Sequence, residues 1–310
     1  MRKLAIASFL VAAVGCGGPP KPQNAMLIDP GPVPANGLQI VLPIIHDIQP
    51  GSDNELCTWT DVTTDHDLFV KGVQGIQSQA GHHIVVYKTT TYQPAGTTRK
   101  CTDQDMTTLR FVSGAAGEGV NSTNTAPGDL AFTIEKGSQI VINHHYINAS
   151  PTARDVQSAI NLFFADPGAH VIPTGALAVV DTALHLPPGQ PSVDIDCTMQ
   201  KPLKVWFAIP HMHAYGLDIT VDHTHNGQTE RLFDTPWNPE YTFHPPTQVE
   251  DPTAPKLFDV GDNVHVHCQW NNTTGGELTF GTEMCVFFAE TVDDNGTGSI
   301  ACDQGNWTDF

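Results

Sequence analysis

The apolar positions of this chain fall into short runs separated by turn-forming clusters. The clearest are DLFVKGV, HHIVVYKT, QIVINHHYI, KVWFAI, LDITVD, NVHVHCQW and MCVFFAET, each reading as a β-strand. No stretch holds an apolar 3.6-residue period long enough for a core helix. Asn226-Gly227 inside HTHNGQT is a strong hairpin signal. The 24 prolines and 27 glycines suit a loop-rich β protein. The best division falls in ADPGAHVIPTGA, residues 165–176. The expected fold is therefore all-β: two tandem antiparallel, jelly-roll-like β-sandwiches, residues 38–170 and 171–310, with a cleft between them.

The run GHHIVVY raises a question of geometry. Neighbouring side chains on a regular strand point to opposite faces, so His82 and His83 should diverge. They could share one metal only if the strand is locally irregular or if they coordinate through different ring nitrogens.

Composition and the first residues place the chain outside the cytoplasm. MRKLAIASFLVAAVGCGGPP has a basic start, an apolar stretch too short to span a membrane convincingly, and then small residues, which is the pattern of a secretory signal. Ala13-Val14-Gly15-Cys16 is similar to a bacterial lipobox, although Ala13 stands where a leucine is usual. Residues 1–16 are thus expected as the signal, Cys16 as the lipidated residue, and Gly/Pro-rich residues 17–37 as a flexible tether. An ordinary cleaved signal is the alternative. Arg2 and Lys3 lie in the removed segment, which leaves 12 Lys+Arg against 33 Asp+Glu. Such acidity attracts no polyanion and argues against nucleic acid as a partner. Six further cysteines remain, an even number that suits three disulfides, and sequence alone leaves 15 pairings open. With no Cys-x-x-Cys pair, a zinc ribbon or thioredoxin-like site is disfavoured.

Fifteen histidines are the main chemical signal. A lone strand histidine is by default a hydrogen-bonded structural residue. His211-Met212-His213 is better evidence, because residues two apart on a strand share a face and could reach one ion. His223/His225 and His265/His267 repeat that spacing. The first pair flanks the hairpin tip and is expected in solvent; the second is expected simply to line a sheet face. Met284, in GTEMCVFFAE, offers a soft thioether that suits Cu(I) and that zinc, magnesium or calcium would not select.

Taken in order, these segments resemble the copper type II, ascorbate-dependent monooxygenases. The resemblance runs from about Cys57 to Cys302. AGHHIVVY is similar to that family's His-His strand, VINHHYIN to its His-Tyr strand, and LHLPPGQ to its Pro-Pro-Gly turn. AIPHMHAYG is similar to the His-x-His segment and GTEMCVFF to the Glu-Met-Cys segment. The resemblance implies one copper held by His82, His83 and His145, with His144 facing away. It implies a second held by His211, His213 and Met284. It further implies the disulfides Cys57–Cys101, Cys197–Cys302 and Cys268–Cys285.

What the resemblance implies for function is hydroxylation of a substrate C–H bond with O₂ and ascorbate. Oxygen would be activated at the methionine-containing site, and the His₃ copper would supply an electron across an open cleft. Ile209, Val286 and Phe288 occupy positions where the peptide-amidating branch carries an arginine, an asparagine and a tyrosine that grip a carboxylate. A peptidyl-glycine substrate is therefore not expected, and an apolar or aromatic small molecule is. The expected partners are that substrate and O₂, with membrane contact only through Cys16, in the cell envelope facing the periplasm or cell surface. Two other readings remain: a copper-binding or delivery protein of the same fold, and a surface β-sandwich whose histidines are incidental.

Overall fold

The computed structural model describes residues 26–309 except 103, 104, 106, 107, 117–120, 243 and 244. The expected signal and Cys16 lie outside the described residues. Strands dominate from Gly37 to Asp309 among the described residues, and a short 3-10 turn spans Pro239–Thr242. The chain is all-β, as the apolar pattern predicts.

Three sheets carry the architecture. The N-terminal half contributes a five-stranded sheet in the order Thr98–Lys100, Asp53–Thr63, Gln139–Ile147, Gly81–Thr89, Arg110–Ala116. The C-terminal half contributes a four-stranded sheet in the order Ser192–Thr198, Asn263–Trp270, Gly216–His225, Gln228–Pro236. Both face one twelve-stranded sheet. Strand alternation explains each core: Ile84, Val86, Ile140 and Ile142 turn inward in the first half, and Ile219, Val221, Val264 and Val266 in the second.

The two sandwiches are joined more closely than the sequence suggested. Strand Ile172–Val180, which begins inside the stretch where the division was expected, pairs in parallel with Leu130–Ile134 through Ile172↔Leu130 and Pro173↔Ala131. The large sheet therefore runs without a break from one half into the other. Trp206 and Val292 of the second half pack into the first half's core. The last part of the expected tether also lies on the body, where Leu27 N–H donates to Gln157 Oε1 at 2.9 Å and Gln39 donates to the Pro30 carbonyl at 3.0 Å.

A cavity of about 650 Å³ opens between the halves, lined among others by Lys88, Arg110, Phe111, Thr174, Asp293 and Asp309. Lys88 is at the far end of its strand from His83, roughly 16 Å away at a strand's rise per residue. None of the six predicted metal ligands lines this cavity. Phe111 instead meets Phe288 edge-on across the interface, with ring centroids 5.2 Å apart.

Beside that contact Glu290 is buried, accepting one hydrogen bond from Asn124 Nδ2 at 3.2 Å, while its Oε2 has no partner. Burial pushes its pKa up to about 7 from 4.5, against the smaller lowering effect of Asn124. The folded state thus keeps a proton that the unfolded state releases above its own pKa. This contribution to stability is intact below pH 4.5 and is lost as pH rises through 7. Glu290→Gln, which cannot ionise, is expected to stabilise the protein by about 3 kcal/mol at pH 8 and by little at pH 4. Denaturant melts at the two pH values check this, and an equal effect at both would refute it.

Candidate metal centre

The His82–His83 question is answered by a β-bulge. In the pairing of Gly81–Thr89 with Gln139–Ile147, His83 faces His145 and Gly81 faces Tyr146, so His82 has no opposite residue. An extra residue breaks the alternation and re-aims its side chain. Gly81 is required beside the bulge, because a Cβ there would stand 2.3 Å from the Cβ of Gln77. The Nδ1 atom of His82 consequently lies 2.9 Å from Nδ1 of His83 and 3.0 Å from Nδ1 of His145. One ligand atom from each of the three rings falls within 4.8 Å of the others.

Second contacts orient this triad. His145 Nε2 donates to the Asp53 carboxylate, which leaves Nδ1 facing its partners. Burial alone would raise the Asp53 pKa, but the His145 hydrogen bond and charge hold it below the usual value. His144, next in the chain, turns the other way: Nε2 meets Thr58 Oγ1 at 2.9 Å and Nδ1 meets the Tyr146 hydroxyl at 3.2 Å. Adjacent residues on a regular stretch diverge, so only one of the two joins the cluster.

In the second half, His211 ends the strand Leu203–His211 and pairs with Val286. His213 lies just past the strand end, in the turn that follows. The intervening Met212 is fully buried in the C-terminal core, and the two imidazole centroids are 5.0 Å apart. Three contacts hold His213. Its N–H donates to Glu283 Oε2 at 3.0 Å, its carbonyl accepts from Trp237 Nε1 at 2.9 Å, and Nδ1 lies 3.1 Å from the Thr282 carbonyl. The last contact requires the proton on Nδ1 and leaves the lone pair on Nε2. That Nε2 is buried and has no hydrogen-bond partner, which is the state of a prepared ligand atom.

Glu283 ties this loop to the segment carrying Met284. It is fully buried and also accepts from the Tyr215 N–H at 2.7 Å and from Trp270 Nε1 at 3.0 Å. Met284, half-buried, follows it directly. Cys285 then bonds to Cys268, and Val286 pairs with His211, so the Met284 backbone is anchored to both histidines. Cys57–Cys101 and Cys197–Cys302 complete the three expected disulfides.

The two groups meet. The ring of His82 lies 6.1 Å from that of His213, centroid to centroid. Burial, reinforced by the neighbouring imidazoles, lowers His82 to about 2 and His211 to about 3, and also takes His83 well below its ordinary value. His213 is lowered by burial as well, partly offset by the Thr282 carbonyl. These four imidazoles are neutral at ordinary pH, the protonation state in which a ring nitrogen can bind a cation.

Two other histidine pairs are structural. His223, expected in solvent, is buried: Nε2 contacts Asp262 at 2.8 Å and the ring stacks on Phe258 at 4.2 Å. His225 meets the same carboxylate at 2.9 Å. The hairpin turn itself is where it was expected, with positive φ at Asn226 and Gly227. The misplacement of His223 came from Asp262, a distant acid that draws that ring in, whereas His225 stays exposed as expected. His265 and His267 line a sheet face and pair with Asp196 and Asp194.

Sequence reasoning missed Asp53, Trp237, Thr282 and Glu283. Glu283 carried a faint signal, an acid at the head of an apolar strand run. Asp53 carried none, since 92 residues separate it from His145.

No protein-family model and no curated protein matches this chain. Among solved structures, PNGase F, a glycosylasparaginase from Flavobacterium meningosepticum, is 8% identical with a TM-score of 0.39, covering 84% of this chain and 97% of that one. The major capsid protein P2 of bacteriophage PM2 is 12% identical with a TM-score of 0.37, covering 84% and 99%. A structure of broad bean stain virus is 9% identical with a TM-score of 0.34, covering 87% and 90%. Likenesses this distant carry no argument about function.

Proposed function

We propose that this chain is an exported copper-dependent monooxygenase that hydroxylates a C–H bond of a small organic substrate. The observation that carries the reading is the convergence of three Nδ1 atoms from His82, His83 and His145 beside the unpartnered, buried Nε2 of His213. Imidazole donors suit copper in both oxidation states, and a thioether at Met284 favours Cu(I). The donor set therefore fits two coppers, one with His82, His83 and His145 and the other with His211, His213 and Met284. Bound copper would supply one-electron redox chemistry and O₂ activation.

The net reaction is R–H + O₂ + 2e⁻ + 2H⁺ → R–OH + H₂O, with ascorbate or another one-electron reductant as the electron source. The chain's own residues have definite tasks in it. Asp53 fixes the ring orientation of His145, and Thr282 fixes the tautomer of His213. Burial keeps the imidazoles neutral and excludes water from them. Ile209, Val286 and Phe288 give the second site an apolar surround, which favours an apolar or aromatic substrate over a carboxylate. Three disulfides fit an oxidising compartment, and among the described residues no helix is long and apolar enough to cross a membrane. Attachment would come through a lipid on Cys16.

Met284→Ala is expected to cut substrate-dependent uptake of O₂ and ascorbate by more than about 100-fold while the protein stays folded, since even outer contacts of a metal site are worth 10–100-fold. Oxygen-electrode assays across small amines, phenols and aromatic hydrocarbons check this. Undiminished uptake would show that oxygen is activated elsewhere.

One observation favours a second reading, copper capture or delivery. Phe288 is engaged with Phe111 across the interface, and the interdomain cavity lies away from the histidines. Two retained coppers with no oxygen uptake on any substrate would select that reading.

A further inference from the structure

We propose that the cavity between the halves is a binding site for a small zwitterion, a free α-amino acid or a dipeptide. Its residues are remote from the histidines, and the proposal does not rest on the copper reading.

Size sets the first limit. A volume of about 650 Å³ is within the range of sites that enclose one small organic molecule. Charge then narrows the ligand. The chain carries 14 basic residues against 33 acidic ones, yet Lys88, Arg110 and Lys201 all meet at this one cavity. The first half contributes Lys88, Arg110 and Glu135, a wall that is net cationic. The second half contributes Lys201, Asp293 and Asp309, a wall that is net acidic. A ligand with only a carboxylate would face the acids of the second wall. One with only an ammonium would face the cations of the first. A molecule that carries both charges finds a partner on each side. Phe111, Val112, Phe132 and Pro173 add apolar lining for its carbon skeleton.

Both walls are held in place by the protein itself. Lys88 Nζ donates to the Thr133 carbonyl at 2.7 Å and to Glu135 Oε1 at 2.8 Å. Two of its three N–H groups are thus engaged, and the third remains for a carboxylate. On the other wall, Asp293 accepts from the N–H groups of Thr297 at 2.6 Å and Gly298 at 2.9 Å, which closes the 293–298 loop. Gly175 lets that loop pack closely, since a Cβ there would stand 2.3 Å from the Gly298 carbonyl oxygen. Charged groups fixed in this way lose little freedom when a ligand arrives. A ligand that touches both halves also stabilises the joined fold by binding it.

The test is isothermal titration calorimetry of the full mature chain, without added metal, against the common α-amino acids and their dipeptides. One saturable site per chain is expected. The best binder is then compared with its deaminated and decarboxylated analogues, which for leucine are isocaproate and isoamylamine. Each analogue is expected to bind at least about 10-fold more weakly. Arg110→Met and Asp309→Asn are each expected to weaken the zwitterion by about 10-fold or more. Asp309→Asn should leave the carboxylate-only analogue bound no more weakly than before. Asp309 is exposed, so this variant decides alone if Arg110→Met does not fold. Equal binding of the zwitterion and either analogue would overturn the proposal, as would variants that bind like the parent. No binding of any amino acid or dipeptide up to about 10 mM would also overturn it. Copper content enters none of these outcomes.

Discussion

Glu283→Ala is expected to lower the melting temperature of the metal-free protein by about 10 °C and to abolish copper binding at His211, His213 and Met284. The carboxylate accepts from the N–H groups of His213 and Tyr215 and from the Trp270 indole, and it is fully buried. Alanine leaves three donors without an acceptor, two buried and the Tyr215 N–H partly buried, at about 1–3 kcal/mol for each buried one before relaxation. A net loss of about 4 kcal/mol is a large share of the 5–15 kcal/mol that holds a typical domain. The effect on metal follows from the same bonds, since Glu283 fixes the His213 loop against the segment bearing Met284. The first-half triad depends on none of these contacts and should keep its copper. Calorimetry with a copper count checks both parts. Unchanged melting would mean that water replaces the carboxylate and that Glu283 is not the organiser of the site.

His145→Ala is expected to reduce bound copper from two ions per chain to one and to lower hydroxylation by more than about 100-fold. The substitution removes one of three convergent Nδ1 atoms and releases Asp53, which is partly exposed and can turn to water. The cost to the metal-free fold should stay within about 2 kcal/mol. The remaining copper should then give a full, isolated type 2 signal. A copper count that stays at two would place the first ion elsewhere.

The strands were legible because apolar and β-branched runs sit between turn residues, and the Asn226-Gly227 turn formed as its chemistry requires. The way the halves join was not legible. The residues that cross the boundary, Ile172 and Pro173, look like linker, and their pairing with Leu130 and Ala131 depends on a strand about forty positions earlier. At the site, the resemblance implied that His144 faces away from His145, as it does, while alternation set His82 apart from His83. The bulge that reunites them comes from the register against Tyr146, which no local pattern encodes. Carboxylates were the other blind spot. Asp53 and Asp262 hold histidine rings and Glu283 holds the His213 backbone, and all three come from far away in sequence, 92, 39 and 70 residues respectively.

The packing of the halves also bears on substrate access. An open cleft would let a substrate stand between two separated coppers, whereas here Phe288 closes on Phe111 and the histidines touch. A substrate would then reach the second site from its outer side, past the Met284 segment, which is only half-buried.

The most direct measurement is anomalous scattering at the copper absorption edge from crystals of the copper-loaded protein. The account predicts two peaks within the histidine cluster, one capped by Nδ1 of His82, His83 and His145 and the other beside Nε2 of His213. Copper found only on exposed pairs such as His265 and His267, with nothing inside the cluster, would contradict it.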